Sequence, residues 1–352
     1  MELLSVTMND GVIPRSEIEG KDNSSEDKSK YKVVLAGDMV YNSMRMWQGA
    51  NGISPCDGIV SPAYTVLMPK EPISNGYFAA LFKSPNLINE FRKNSQGMTS
   101  DTWNLKYPQI ETIKVCIPAL SEQERIADVF ATLDKRIEKQ AQLVDSLKKY
   151  KRGLLSQLIS GKLRFSNKTV WQTVKLGSIF KERSERAHGD EELLAVTISS
   201  GVQRRTEIDL KDNSSEDKSN YKRVSIGDIA YNTMRMWQGA SGASMFDGIV
   251  SPAYTVITPI YPNETNITFW AYYFKYTPLV QTFQKFSQGL TSDTWNLKFP
   301  QLSEIKVVNP PLEDQTAIAN ILLSLDCRIE AEDKITETLR RQRASLYAQL
   351  FI

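Results

Sequence analysis

The ten residues Tyr41–Ala50, YNSMRMWQGA, return almost unchanged as Tyr231–Ala240, YNTMRMWQGA. A second block, Ser95–Lys106, returns as Ser287–Lys298 with a single change, from Met to Leu. The copies are offset by 190 residues in the first block and by 192 in the second. A period of this length is too long for a solenoid, so the repeat predicts a tandem pair of similar domains, each with its own hydrophobic core.

Composition and length limit the class of protein. The 352 residues suffice for two domains with substantial cores, and 41% apolar with 24% charged residues is ordinary for a globular protein. No long apolar run and no signal peptide is visible, so we expect a cytoplasmic protein without a membrane segment. Three cysteines without a CxxC pair and a single histidine, His188 in a polar run, argue against a metal site and a histidine-based catalytic centre. The net charge of +2 means that any DNA contact must come from local groups.

Each copy consists of a mixed globule followed by a long helix. The regions 1–119 and 171–311 alternate short β-rich runs with Gly, Pro, Asn and Asp, which is typical of a compact α+β domain. Ser121 followed by Glu124 forms a capping-box pattern at the start of the first long helix. The predicted domains are a first globule, a first helix, a second globule and a second helix, at 1–119, 120–165, 166–311 and 312–352.

Both predicted helices carry apolar residues at heptad spacing and contain no proline. One alternative is that each helix packs on its own globule. A helix of about 38 residues is roughly 57 Å long, which exceeds a globule of this size, so an antiparallel coiled coil between the two helices is favoured. The expected interface residues are Leu133, Ile137, Val144, Leu147, Leu154, Leu325, Ile329, Leu339 and Leu346.

This order of globules and helices, together with several short motifs, resembles the specificity subunit of type I restriction-modification enzymes. The resemblance covers nearly the whole chain, and its motifs recur in the same order in both copies. They are LSEQERIA at Leu120–Ala127, LDKRI at Leu133–Ile137, LLSQLISGKLRF at Leu154–Phe165, WQTVKLGSI at Trp171–Ile179, LEDQ at Leu312–Gln315 and LDCRI at Leu325–Ile329.

The resemblance implies an α+β fold in which two similar target recognition domains are separated by two long antiparallel helices forming a coiled coil. It implies a non-catalytic subunit whose recognition domains each read one half of a split site in double-stranded DNA. Two methylation subunits, and later restriction subunits, are the implied protein partners. No cofactor is expected on this chain, since the resemblance places S-adenosylmethionine, ATP and Mg on those partners. One departure is that residues 171–190 have no counterpart before Glu2, so the first recognition domain is expected to be N-terminally short, and an inactive truncated subunit stays open.

The two duplicated blocks supply groups that can read DNA. Base edges are read chiefly by Arg at guanine and by Asn or Gln at adenine. Both globules are close to charge-neutral, with 12 basic and 13 acidic residues in 1–119 and 15 of each in 171–311, so phosphate contacts are expected to be few. Lys106 and Lys298 are expected on phosphate, and core packing is the alternative role for the tryptophans. The candidate DNA-binding residues are Arg45, Trp47, Gln48, Asn51, Gln96, Thr99, Ser100, Thr102, Lys106, Arg235, Trp237, Gln238, Ser241, Gln288, Thr291, Ser292, Thr294 and Lys298.

The duplication also predicts the form of the DNA site. Two similar domains on antiparallel helices are related by an approximate twofold axis, as are inverted halves of a duplex, so we expect a bipartite and nearly palindromic site. A self-contained enzyme is disfavoured, because Asn309–Leu312 lacks the aromatic residue of an Asn-Pro-Pro-aromatic methyltransferase motif and no P-loop is present. A coiled-coil protein-interaction module without DNA recognition stays open as the rival function.

Overall fold

The chain divides into two compact units in the computed structural model. The described residues are 1–20, 24–165, 170–187, 191–198, 200–208, 217–291 and 294–351. Unit 1 comprises Met1–Val144 and Glu332–Ile352, and unit 2 comprises Asp145–Ala331. Two residues considered from the sequence, His188 and the candidate Ser292, lie outside the described residues.

Unit 1 contains two small sheets. One has the strand order β2-β1-β6-β3, in which β1 and β6 are parallel and the other neighbours antiparallel. The other is antiparallel, with the order β5-β4-β7, and its central strand is buried at both faces. The strands are β1 Glu2–Val6, β2 Val12–Pro14, β3 Lys32–Val34, β4 Met39–Asn42, β5 Asn51–Ile53, β6 Gly58–Val60 and β7 Tyr64–Leu67.

Short helices follow the sheets of unit 1, and the sequence sets where they begin. The Ser74 side chain accepts a hydrogen bond from the Tyr77 amide (3.3 Å), which caps the first helix. Ser84 caps the second, whose first residue is Pro85, a residue that suits the start of a helix because it has no amide hydrogen to satisfy. The helices are α1 Asn75–Leu81, α2 Pro85–Asn94, α3 Tyr107–Ile110 and the long α4 Leu120–Ile159, which continues into unit 2.

Unit 2 repeats this plan and adds strands. Its sheets have the orders β14-β13-β16-β9, β10-β11, β12-β15 and β17-β8. The strands are β8 Gln172–Lys175, β9 Phe180–Glu182, β10 Leu194–Thr197, β11 Gly201–Arg204, β12 Lys222–Val224, β13 Ile229–Asn232, β14 Ser241–Ala243, β15 Gly248–Val250, β16 Tyr254–Pro259 and β17 Lys306–Asn309. The helices are α5 Ile267–Tyr273, α6 Thr277–Phe286, α7 Phe299–Ser303 and the long α8 Leu312–Leu350.

A glutamine near the start of each long helix attaches that helix to its own unit. In unit 1, Gln123 donates to the Pro118 carbonyl (2.9 Å) and accepts from the Ser74 amide (3.0 Å). In unit 2, Gln315 donates to the Pro310 carbonyl (2.8 Å) and accepts from the Asn266 amide (2.9 Å). Both glutamine side chains are buried, so their bonds fix the chain where each sheet domain joins its helix. The Asn-Pro-Pro stretch before α8 belongs to this junction.

The long helices pack against each other within each unit, and they run antiparallel. In unit 1, Phe130 of α4 stacks on Tyr347 of α8 with ring centroids 4.5 Å apart. About one and three turns further along α4, Asp134 and Gln140 contact residues that come earlier in α8, namely Arg343 (2.6 Å) and Glu332 (2.6 Å).

In unit 2, Lys151 of α4 forms an ion pair with Asp326 of α8. Of the residues expected at the helix interface, four are buried and the rest are half-buried. The buried ones are Ile137, Val144, Ile329 and Leu339, and the half-buried ones are Leu133, Leu147, Leu154, Leu325 and Leu346.

The predicted fold class, α+β with two long antiparallel helices, is confirmed. Among the described residues, no helix has both the length and the apolar character needed to cross a membrane.

Candidate DNA interface

The two duplicated blocks come together in each unit and form one surface. We call Met44–Ala50 loop A and Ser95–Leu105 loop B. Trp47 of loop A and Trp103 of loop B meet edge to face, with ring centroids 5.0 Å apart. The Leu105 amide donates to the Ser43 carbonyl (2.8 Å), which joins the end of loop B to the start of loop A. Blocks that lie about 50 residues apart in sequence therefore form a single candidate site.

Loop A is a tight turn that leaves two polar side chains accessible. Met46 is fully buried and anchors the turn, and Gly49 ends it with φ at +81°, a backbone conformation that favours glycine. The Trp47 indole N–H donates to the Met44 carbonyl (3.1 Å), so the ring is held against the loop. Arg45 is exposed and Gln48 is half-buried, and both stand on this fixed turn.

Loop B is a constrained hairpin. The backbones of Gln96 and Asn104 exchange two hydrogen bonds of 3.0 and 2.8 Å. The Thr102 hydroxyl donates to the Thr99 carbonyl (2.9 Å) and accepts from the Thr99 amide (3.1 Å), which closes the tip. Gly97 has φ at +146° and lies so close to Thr102 that an added Cβ would be 2.6 Å from the Thr102 carbonyl oxygen. The tip is therefore held by its own bonds and by a position that only glycine fits.

Unit 2 repeats both loops with nearly the same geometry. Trp237 and Trp295 meet edge to face at 5.2 Å. The turn ends at Gly239 with φ at +80°, and both Arg235 and Gln238 are exposed.

The hairpin of unit 2 that corresponds to loop B is closed in the same way. The Gln288 and Asn296 backbones exchange bonds of 2.9 and 2.8 Å, and the Thr294 hydroxyl donates to the Thr291 carbonyl (3.0 Å). We call Met234–Ala240 loop A′ and Ser287–Leu297 loop B′.

Sequence reasoning missed three residues of this surface. Met98 and Leu290, at the tips of loops B and B′, have fully exposed side chains, at 100% and 101% relative exposure. The sequence signal for both residues is a large apolar side chain between glycine and threonine in each copy. The third is Arg92 of α2, whose guanidinium lies 5.8 Å from the Trp47 ring centroid and 6.0 Å from that of Trp103, a cation–π arrangement. Gln284 takes the place of Arg92 in the second copy, so the duplication gave no signal for it.

Two of the candidate DNA-binding residues need correction. Asn51 and Ser241, the first residues of β5 and β14, are fully buried. The Asn51 side-chain Nδ2 donates to the Gly49 carbonyl (3.1 Å), and the Ser241 hydroxyl donates to the Gly239 carbonyl (3.4 Å). A buried side chain that bonds to its own turn does not reach a base edge, so we assign both residues to support of loops A and A′.

The other described candidates are at the surface, but they differ in whether their polar groups are already used in hydrogen bonds within the loops. The four threonines of loops B and B′ are exposed, yet their hydroxyls already hold the hairpins. Lys106 and Lys298 are exposed directly before α3 and α7. Trp47 and Trp237 are half-buried, and each packs on the tryptophan of the other loop in its unit. The side chains left to face a ligand are those of Arg45, Gln48, Gln96, Ser100, Lys106, Arg235, Gln238, Gln288 and Lys298.

A partly buried lysine supports loop A′. The Lys275 ammonium donates to the carbonyls of Gly239 and Ile198, the latter at 2.9 Å. Burial lowers the pKa of Lys275 to about 8. Burial likewise lowers the pKa of Lys83, its counterpart in unit 1, and Arg343 adds to the effect. Lys275 serves the structure of loop A′, because its ammonium donates to backbone carbonyls.

The surface offers hydrogen-bonding groups, aromatic rings and exposed cations on two rigid loops. Among the described residues, no group of three or more His, Cys, Asp and Glu side chains is placed to hold a metal ion. The arrangement is suited to binding through base-edge and phosphate contacts.

Comparisons with known proteins agree with this description. The model of the family described as type I restriction modification DNA specificity domain matches residues 5–149 and 169–341. A Methanocaldococcus jannaschii protein, provisionally described as the type I restriction enzyme MjaX specificity subunit, is 22% identical over 364 residues, covering 93% of this chain and 80% of that protein.

Three solved structures share the fold. The HsdS subunit from Thermoanaerobacter tengcongensis is 15% identical with a TM-score of 0.52, covering 98% of this chain and 88% of its own. The type I restriction-modification S subunit from M. genitalium is 16% identical with a TM-score of 0.56, covering 99% and 94%. A chain from a study of complex assembly and conformational transition of the type I system is 16% identical with a TM-score of 0.57, covering 92% and 83%.

Proposed function

This chain belongs to the family of type I restriction modification DNA specificity domains, and from that premise we propose that it reads a bipartite DNA site for a methylation and restriction complex. The observation that carries the proposal is the repeated surface of loops A and B. Two units hold the same residue types on the same rigid turns, so each unit presents one reading surface.

Within each surface, Arg45 with Gln48 and Arg235 with Gln238 are the proposed base readers. Their side chains carry the paired donors and acceptors that distinguish guanine and adenine in the major groove. Lys106 and Lys298, which directly follow loops B and B′, contact phosphate. Because the reading residues are the same in both units and the long helices run antiparallel, the two half-sites are similar and inverted.

The exposed loop tips add an apolar contact. Met98 and Leu290 project from hairpins that are already closed by their own hydrogen bonds. An apolar side chain on a rigid tip can wedge between base steps and unstack them. We assign this role to both residues, in support of the polar readers beside them.

Because each globule is close to charge-neutral, DNA binding should depend on partner subunits. A domain with as many acidic as basic residues releases few counterions and binds DNA weakly alone. Methylation subunits docked on the long helices would supply the remaining phosphate contacts and, with S-adenosylmethionine, the chemistry. Restriction subunits would bring ATP and Mg. This chain itself acts as a non-catalytic subunit.

The test is to co-express the chain with the methylation subunit of its own system in a methylation-free host and to map methylated adenines by single-molecule sequencing. We expect a split motif with similar inverted halves. Arg45→Ala with Gln48→Ala should relax one half only, whereas Lys70→Ala, in the same unit but outside both loops, should leave the motif unchanged. Two unrelated half-sequences would discard the inverted-site proposal and keep DNA reading. Co-purification without methylation or DNA binding would instead favour a protein-interaction module.

A further inference from the structure

The hairpin of loop B carries two carboxamide side chains next to each other. Gln96 and Asn104 lie opposite each other, and their backbones exchange hydrogen bonds of 3.0 and 2.8 Å. In an antiparallel pair the two opposite side chains point to the same face, with their Cβ atoms about 5 Å apart. Gln288 and Asn296 form the same pair in loop B′. We call Gln96 with Asn104, and Gln288 with Asn296, the amide pairs.

The amide pair of loop B lies on the face of the hairpin that is turned away from the core. Side chains alternate between the two faces of an extended segment, so Trp103 and Leu105 share the face opposite to Asn104. Leu105 is fully buried, and Trp103 packs on Trp47 of loop A. Gln96 is exposed and Asn104 is half-buried. A ligand can therefore approach the amide pair from the outer side of loop B.

The Asn104 carboxamide has no hydrogen-bond partner among the described residues. Its Oδ1 atom is buried and accepts no bond, and its Nδ2 group donates none. Asn296 shares both features. Asn51 differs, because its Nδ2 group is bound to the Gly49 carbonyl (3.1 Å). Buried polar groups are nearly always hydrogen-bonded and an unpaired one destabilises the fold, so its repetition in both units indicates a partner outside the chain.

The position of these two residues distinguishes them from the other group that is unpaired in both units. The hydroxyls of Tyr41 and Tyr231 are also unpaired, but these tyrosines are fully buried in β4 and β13, where no ligand reaches them. Asn104 and Asn296 are half-buried at the surface of their hairpins. The torsion about the Cβ–Cγ bond of asparagine is broad, so a small rotation can turn either end of the amide outward.

A carboxamide with both ends unused is complementary to one base. Its oxygen accepts from the N6 amino group of adenine, and its nitrogen donates to adenine N7, so asparagine and glutamine bind this base through two hydrogen bonds in the major groove. Guanine presents acceptors at both positions, which suit arginine instead. The amide pairs therefore differ in base preference from the arginines of loops A and A′.

We propose that Asn104 and Asn296 each read an adenine in the major groove, with Gln96 and Gln288 contacting the same or the adjacent base pair. The proposal rests on the function proposed above and deepens it by naming the base that loops B and B′ recognise. The adenine N6 amino group supplies the donor that Oδ1 lacks in the free protein. A base without the matching groups leaves this oxygen unpaired and is rejected, which gives the contact its specificity.

The test uses the full chain in complex with the methylation subunit of its own system and duplexes that carry the mapped motif. Each purine of the motif is replaced in turn by its 7-deaza analogue, which lacks the N7 acceptor, and fluorescence anisotropy measures the affinity. For the wild type, we expect 7-deazaadenine at one position of each half-site to weaken binding about tenfold. Asn104→Leu should lose this response in one half-site only. The matched control, Asn296→Leu, should lose it only in the other half-site.

Thermal melting separates base reading from a structural role. Because the Asn104 side chain makes no hydrogen bond within the described chain, Asn104→Leu should keep or raise the melting temperature. A lower melting temperature would identify a structural amide and overturn the proposal. Wild-type responses to every 7-deaza analogue in Asn104→Leu, or a response lost at guanine alone, would also overturn it while keeping DNA reading. A wild-type complex without any sequence-specific binding would instead refute the proposed function, and this inference with it.

Discussion

The ion pair between Lys151 and Asp326 provides the sharpest test of how the long helices are joined. In unit 2, the Lys151 ammonium donates to both oxygens of Asp326, with 2.6 Å to Oδ2. The Tyr272 hydroxyl donates to the same Oδ2 (2.6 Å), and its ring lies 4.8 Å from the ammonium. Burial, and then this bond to Asp326, raises the pKa of Tyr272. One carboxylate thus joins α4, α8 and the sheet domain of unit 2.

The expected cost of Asp326→Asn follows from the exposure of the pair. Breaking a fully buried pair costs about 3–5 kcal/mol, while exposed pairs are worth about 0–1 kcal/mol. Lys151 and Asp326 are 21% and 33% exposed, between these limits, so we expect a loss of about 2 kcal/mol in the free energy of unfolding. For a domain of this size the melting temperature should fall by about 4–8 °C. Asp134→Asn, which breaks the more exposed pair with Arg343 in unit 1, should cost less.

Differential scanning calorimetry of a double-mutant cycle measures this interaction. Lys151→Met keeps the apolar stem, so the double variant with Asp326→Asn should be more stable than the two single losses predict, with a coupling energy of about 1–2 kcal/mol. Glu330→Gln, an exposed change on the same helix, serves as the control and should leave the melting temperature within about 1 °C. Additive single and double variants would refute the assignment of Asp326 as the residue that joins these elements.

Three further predictions concern the loops. Gly97→Ala should lower DNA affinity without lowering the melting temperature appreciably. The added Cβ would lie 2.6 Å from the Thr102 carbonyl oxygen and would displace the exposed tip of loop B. Gel-shift assays measure the affinity, and thermal melts measure the stability. Lys275→Met should remove a pH dependence of stability. Because the folded pKa is about 8 and the ordinary value is 10.5, the unfolded chain binds more protons between these values, so urea unfolding should show wild-type stability rising with pH by at most about 1.4 kcal/mol per unit relative to the variant. Met98→Ser with Leu290→Ser should reduce the fluorescence rise of 2-aminopurine placed in the site while leaving the fold intact, and an unchanged rise would exclude wedging.

The sequence predicted the fold well because the duplication is long and nearly exact. Repeated blocks indicate two domains, and heptad spacing indicates two paired helices. The sequence alone does not explain the polar members of the heptad positions. Lys151 and Arg343 interrupt an apolar seam when each helix is considered alone, and each finds a carboxylate on the other helix. A pattern within one helix cannot show its partner, which is set by the register between helices.

The candidate site could be predicted as two loops, but not residue by residue. Asn51 has the side chain expected of an adenine reader, yet it is buried because β5 packs closely on a neighbouring turn. Gly52 and Gly11 are so close that a Cβ on Gly52 would lie 2.8 Å from the Gly11 Cα. This approach joins residues about 40 positions apart, so no local pattern reveals it. The exposure of Met98 cannot be predicted for the opposite reason, since an apolar residue is ordinarily assigned to the core.

The differences between the two units affect what the duplication predicts about the two half-sites in DNA. The proposed reading residues Arg45 and Gln48 are repeated as Arg235 and Gln238, but the residue beside the two tryptophans is Arg92 in unit 1, and its counterpart in unit 2 is Gln284. Arg92 lies on the indole rings rather than at a loop tip, so we expect its charge to strengthen binding to any sequence without contacting a base. It follows that the two half-sites should have the same bases but unequal affinity, with the half read by unit 1 being the more sensitive to salt.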